Sequence, residues 1–257
     1  MKRRDFVQSG LLASALPFLP TPQADARVPG DEGERELIEI REYEMRFRSN
    51  PNTLLSYLNQ VLAPALKRIC EARMFIFQDY GLSDPRKYWV IIAYPGAAAY
   101  LKGNMLDADE AYQKAAKTYA ALPADQPLFS RFQSSLLLAF SGMPQIGTPE
   151  EGTGLFELRT YEGYNEDAVR RKIKMFNAEE IVLFNKVGLY PFFFGDMLIG
   201  PHRPALTYML HFRDMAEREA NWKAFLAHPD WNDMKARPEY ANTVSHIRKQ
   251  FLLPVSL

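Results

Sequence analysis

The feature that most constrains this 257-residue chain is a phrase written twice. LIEIREYE occupies residues 37–44 and LFELRTYE occupies residues 155–162, so Arg41 maps onto Arg159 and Tyr43 onto Tyr161 at an offset of 159 − 41 = 118 residues. At that offset VIIAY (90–94) falls on YMLHF (208–212), and SSLLLAF (134–140) answers KQFLLPV (249–255) after a small shift. Between the copies lies SGMPQIGTPEEGTG (141–154), rich in Gly and Pro and poor in periodic apolar residues, the composition of a linker. Two copies are too few for a solenoid, which needs neighbours to stack upon. The expectation is a duplicated domain, with copies at 36–141 and 154–257 joined by a linker at 142–153.

Each copy reads as strand, helix, strand, strand, helix, strand. In the first, residues 37–46 form the opening strand. Asn50-Pro51-Asn52 then starts a helix in which Leu54, Leu58, Val61, Leu62, Ala65 and Ile69 recur at helical spacing. MFIFQDYG and KYWVIIAYP are β-rich runs parted by Ser83-Asp84-Pro85, the alanine-rich stretch 97–121 is helical, and residues 132–140 close the unit. The second copy repeats this order over 154–163, 167–187, 190–198, 205–213, 215–236 and 244–254. This is an α+β fold of two ferredoxin-like βαββαβ units, each with both helices on one face of an antiparallel sheet.

Side chains alternate along a strand. Ile38 and Ile40 therefore share one face of the opening strand, and Glu39, Arg41 and Tyr43 share the other. Phe156 and Leu158 stand in the same relation to Glu157, Arg159 and Tyr161. The apolar rows are expected to meet the helices. The Glu-Arg-Tyr rows are then left on a bare sheet face that needs a cover. Two such sheets set face to face close an eight-stranded α/β barrel within one chain, with those rows pointing inward.

The first 26 residues belong to a different kind of signal. Lys2, Arg3 and Arg4 precede a short apolar stretch (11–19), Arg3-Arg4-Asp5-Phe6-Val7 resembles a twin-arginine export signal, and Ala24-Asp25-Ala26 is an A-x-A site. Cleavage after Ala26 and a periplasmic or secreted mature protein are expected. The apolar stretch is too short to span a bilayer, so no stable membrane anchor is expected. Lys plus Arg and Asp plus Glu both number 31. That balance argues against nucleic-acid binding, which rests on clustered basic charge. The single cysteine, Cys70, cannot form an internal disulfide and reads as a buried residue.

LFELRTYE, the helix phrase AEREANWKAFLAHPDW (216–231) with its Trp222 and Trp231, and the closing FLLP (251–254) together resemble the NIPSNAP family of the dimeric α/β-barrel superfamily. The resemblance covers the second copy nearly end to end and is weaker in the first, where DADEAYQKA (107–115) stands in place of HPDWNDMKA. It implies the barrel fold. It transfers no catalytic residue, because the family has none that is accepted.

The candidate ligand-binding residues are the two rows Glu39, Arg41, Tyr43 and Glu157, Arg159, Tyr161. Two guanidiniums and two phenols could clamp an anionic or aromatic molecule, since Arg matches carboxylates bidentately. The same residues could equally serve as paired structural charges. Among His202, His211, His228 and His246 no spacing suits a metal, so no metal site is expected. His211 sits in a strand on the face of Thr207 and Met209, where it could act as a general base or a haem ligand. A hydrogen-bonded structural histidine is the plainer reading. The run Tyr190-Pro191-Phe192-Phe193-Phe194-Gly195-Asp196 suits either a cavity wall or a strand buried on both faces. No hydrolase, P-loop or dinucleotide motif is present, and no cofactor is expected.

Two functions are carried forward. The favoured one is a non-enzymatic module that binds a small hydrophobic or aromatic ligand or a protein partner, with further homo-oligomerisation open. The alternative is a cofactor-independent monooxygenase or isomerase, or a haem-handling protein, using His211 as base with Arg159 and Tyr161 holding the substrate. That alternative rests on fold-level analogy.

Overall fold

A computed structural model of the chain describes residues 34–255 apart from residue 82. The export signal expected at residues 1–26 lies outside the described residues. The first half of the barrel comprises β1 (Leu37–Met45), α1 (Pro51–Tyr57), α2 (Ala63–Cys70), β2 (Arg73–Asp79), β3 (Lys87–Tyr94), α3 (Ala97–Gly103), α4 (Glu110–Ala120) and β4 (Phe129–Ala139). The second comprises β5 (Leu155–Glu162), α5 (Glu166–Met175), α6 (Ile181–Lys186), β6 (Tyr190–Ile199), β7 (Ala205–Phe212), α7 (Met215–Ala227), α8 (Pro229–Lys235) and β8 (His246–Pro254).

The helices start where the sequence supplies caps. Asn50 accepts from the Asn52 amide at 3.0 Å, with Pro51 in the first turn of α1. Asn165 accepts from the Ala168 amide at 2.9 Å at the head of α5. A π-helical turn joins α1 to α2 (Leu58–Leu62), and another joins α5 to α6 (Phe176–Glu180). Their starts are 176 − 58 = 118 residues apart, the spacing of the strand phrases. The helices expected over 97–121 and 215–236 are each broken. Asp109 starts α4 by accepting from the Tyr112 amide at 2.7 Å, and Pro229 starts α8 after the extended cap residue His228.

Eight antiparallel strands close a barrel in the order β1-β3-β2-β8-β5-β7-β6-β4. Each half contributes a four-stranded sheet, and the two sheets join at β2–β8 and at β4–β6. Closure removes every free sheet edge, which would otherwise present unpaired backbone groups.

The expected orientation of the opening strands is inverted. Ile38, Ile40, Phe156 and Leu158 point into the lumen, where they form one apolar core with Phe77, Ile91, Phe192 and Met209. The Phe156 ring lies 4.7 Å from Phe77 and 5.3 Å from Phe192. The Glu-Arg-Tyr rows point outward to the helices: Tyr43 packs with Leu54, Leu58 and Leu66, and Tyr161 with Val169, Met175 and Phe176. Alternation puts the two rows on opposite faces but is silent about which face is enclosed. An eight-stranded lumen is just wide enough for side chains to fill it. It takes rings and branched aliphatics readily, and could not satisfy six polar groups without water.

One end of the barrel is plugged by the segment between β4 and β5. Ile146 is buried in the lumen core. Its amide donates to Glu36 Oε2 at 2.7 Å, and Arg73 Nη2 reaches both Glu36 Oε1 (2.9 Å) and the Ile146 carbonyl (3.1 Å). Among the described residues the opposite end holds a recess.

Candidate ligand site between sheet and helices

The two outward rows, alike in sequence, are resolved differently. In the first half Glu39 is saturated: Arg41 donates bidentately from Nε (2.8 Å) and Nη2 (2.9 Å), Ser134 Oγ donates at 2.6 Å and Tyr94 OH at 3.1 Å. Burial raises the pKa of Glu39, but the Arg41 contacts outweigh it and hold the carboxyl below its ordinary value. Tyr43 stacks on Phe132 with ring centres 4.9 Å apart. The space beneath the helices is filled by Leu54, Leu58 and Leu62.

In the second half helix α7 takes over the glutamate. Arg218 donates to Glu157 from Nε (2.9 Å) and Nη2 (3.0 Å), and the Trp222 indole donates at 2.8 Å. Arg159 keeps one longer bond, Nη1 to Oε1 at 3.2 Å. Its guanidinium lies 4.2 Å from the Trp222 ring centre, and its Nε is buried without a hydrogen-bond partner. Arg159 is only 8% exposed, so this orphaned donor carries the desolvation cost that buried polar groups normally avoid.

Beside Arg159 sits a second buried charge pair. Lys172 Nζ on α5 donates to Glu180 Oε2 at 2.6 Å, with both side chains at most 5% exposed. The ammonium also lies 4.6 Å from the Phe176 ring and 5.5 Å from Trp231. Glu180 closes the π-helical turn. Such turns, rare in helices, recur at functional sites. Burial pushes the Glu180 carboxyl up, with Lys172 opposing it. Tyr208 OH donates to Tyr161 OH at 2.8 Å, and burial raises both phenols.

These groups face a cavity of about 450 Å³ bounded by Arg159, Tyr161, Lys172, Glu180 and the apolar walls Trp222, Phe225, Trp231 and Tyr240. Two buried cations, one unpartnered N–H and five aromatic side chains suit a planar apolar molecule with an anionic end.

The structure places Arg159 and Tyr161 at this cavity, with Glu157 fully buried behind it as the acceptor of Arg159, Arg218 and Trp222, while Glu39, Arg41 and Tyr43 form a closed cluster in the other half. His211 lies elsewhere. It faces the lumen near the plugged end, its ring 5.8 Å from Tyr190 and 6.1 Å from Phe156, with Nδ1 3.2 Å from Thr153 Oγ1. Burial lowers its pKa. Arg159 and Tyr161 are on the other face of the sheet, so the expected constellation of His211 with Arg159 and Tyr161 does not assemble. Among the described residues no group of three or more His, Cys, Asp or Glu is placed to hold a metal ion, and no helix is long and apolar enough to cross a membrane.

Sequence reasoning missed Lys172, Glu180, Arg218 and Tyr208. A signal for the first two was present: at the 118-residue offset they replace Leu54 and Leu62, two charges set into an apolar helical row. Nothing local announces Arg218 or Tyr208, which matter through what they touch.

Residues 156–257 match the family model described as NIPSNAP. No curated protein matches the chain. Among solved structures, one named "putative monooxygenase" from Fusobacterium nucleatum is similar at 9% identity and a TM-score of 0.58, covering 86% of this chain and 93% of that one. A mutant chlorite dismutase from Candidatus Nitrospira defluvii aligns at 6% identity and TM-score 0.51, covering 86% and 92%. An uncharacterised NIPSNAP-like domain protein from Burkholderia xenovorans shares 22% identity over 40% of this chain and 85% of its own, with a TM-score of 0.36. At these identities the first two likenesses speak to the barrel fold alone.

Proposed function

We propose that this chain, whose residues 156–257 match the NIPSNAP family and whose biochemical activity is unassigned, is a small-molecule-binding module. The site is the sheet–helix cavity of the second half-barrel. The ligand is a planar, largely apolar molecule with a carboxylate or similar anionic group. One observation carries this reading: at equivalent positions the first half packs Leu54 and Leu62, while the second buries Lys172 and Glu180 around a cavity and leaves Arg159 Nε unpaired. The fold closes without charges there. A buried ion pair is weak support for stability and is often matched or bettered by apolar residues, so its presence asks for a ligand.

The ligand's anion would sit on Arg159 and Lys172 and its ring between Trp222 and Trp231. The enzymatic alternative built on His211 loses its support, because the residues assigned to substrate binding open on the other face of the sheet. Export through the twin-arginine route, with cleavage after Ala26, belongs to the same proposal: such a module would meet its ligand outside the cytoplasm. A protein partner or further self-association is compatible with it.

The test is calorimetric titration of the mature chain with benzoate, cinnamate and indole-3-acetate, alongside Arg159→Gln. Binding of at least one that is lost in R159Q supports the site. Failure of all three, or binding untouched by R159Q, overturns it.

A further inference from the structure

We propose that the end of the barrel opposite Ile146 is a second, chemically distinct binding site, suited to a neutral polyhydroxylated small molecule of the monosaccharide class. It holds a recess of about 450 Å³ whose floor is Ile40, Leu158 and Met197. It lies on the lumen side of the sheet, with the wall of the barrel between it and the cavity at Arg159.

The two halves contribute opposite chemistries at equivalent positions. Trp89 of the first half corresponds to Thr207 of the second, Glu42 to Thr160, Asp79 to Met197 and Lys87 to Ala205, all 118 residues apart. One half thus supplies an indole flanked by charge, and the corresponding positions of the other hold two threonines, a methionine and an alanine. Trp89 is held by its indole N–H, which donates to Asp79 at 2.9 Å, and Gln250 Nε2 donates to the same oxygen at 3.0 Å. Thr160 and Thr207 share a hydroxyl–hydroxyl bond of 2.9 Å. Ser135 and Gln133 complete a ring of neutral donors and acceptors.

Three charged groups that line this mouth, Glu42, Lys87 and Arg248, already have partners, and Lys249 at its edge has no ion pair among the described residues. Lys87 Nζ donates to Glu42 at 2.5 Å, and Arg248 Nε donates to Glu162 at 2.5 Å, with His202 Nδ1 3.7 Å from the same carboxylate. A ligand charge seated on Glu42, Lys87 or Arg248 would have to break these pairs. A sugar need not, because it can lay a C–H face on Trp89 and exchange hydroxyl hydrogen bonds with the neutral ring. At the other end of the barrel Ile146 packs into the lumen core.

Saturation-transfer NMR on the mature chain with glucose, galactose, ribose and sucrose tests this. Transfer to the C–H protons of at least one sugar is expected, reduced about tenfold by Trp89→Leu, a change of about 1.4 kcal/mol. The milder, exposed Gln133→Ala variant should weaken it too, guarding against a folding defect in W89L. Arg159→Gln should leave it unchanged, which separates this site from the sheet–helix cavity. Absence of transfer from all four sugars overturns the proposal. So does transfer that persists in both W89L and Q133A, or displacement of a bound sugar by benzoate in R159Q.

Discussion

Lys172 and Glu180 form a 2.6 Å ion pair at positions where the first half of the barrel holds Leu54 and Leu62, and all four side chains are buried. Each pair brackets a helix that ends in a π-helical turn, Leu58–Leu62 in one half and Phe176–Glu180 in the other, so a segment of this kind accepts either chemistry. Removing one partner strands the other charge in an apolar layer, so Lys172→Leu or Glu180→Leu alone should cost about 3–5 kcal/mol in urea unfolding. The double variant K172L/E180L should be as stable as the parent or about 1–4 kcal/mol more stable. A double variant as unstable as the singles would show that the pair serves folding.

Arg159 is predicted to matter more for ligand than for fold. A hydrogen bond to a charged group contributes about 1.5–3 kcal/mol. Arg159→Gln should thus weaken aromatic-carboxylate binding by roughly one to two orders of magnitude, as read by calorimetry. Unfolding of R159Q followed by circular dichroism should shift much less than that of Glu157→Gln, which removes the charge and one of the two acceptor oxygens that hold Arg218 and the Trp222 indole.

His211 gives a pH signature. Burial lowers its pKa, with Glu150 and Glu217 pulling the other way. A histidine with a depressed folded pKa favours the neutral ring in the native state. The unfolded chain then takes up its proton first as pH falls below the ordinary histidine value of about 6.5. Stability should decline from there down through the lower folded pKa. His211→Gln should flatten that part of the stability–pH curve, and an unchanged slope would show that the ring titrates as in water.

The lumen rings should be the costliest residues to truncate. Phe156 and Phe192 are at most 2% exposed and touch rings from both halves. Phe156→Ala and Phe192→Ala should each lose about 3–5 kcal/mol, the range for large core aromatics. Thermal melts with losses below about 1 kcal/mol would mean that the lumen collapses to fill the gap.

Much of the architecture was legible in the chain. The paired LIEIREYE and LFELRTYE phrases located β1 and β5, Asn50-Pro51 marked the start of α1, and two βαββαβ units, each with a sheet face to cover, implied the closed barrel. Within the site, Glu157, Arg159 and Tyr161 could be named because they recur. Lys172 and Glu180 needed the two halves to be laid side by side. Arg218 reaches Glu157 across 61 positions, and no local pattern encodes such a contact.

The sequence by itself determined the periodicity: two opposed rows on each opening strand, one apolar and one Glu-Arg-Tyr. Only the tertiary structure decided which row is enclosed. A strand's alternation is symmetric between its faces, and the choice is made by what each enclosure can satisfy. The middle of the lumen is packed with rings and aliphatics, so it takes Ile38, Ile40, Phe156 and Leu158. On the outer face strand β3 brings Tyr94, and helix α7 brings Arg218 and Trp222, as donors, so the charged rows settle there. The separation of His211 from Arg159 follows from that choice.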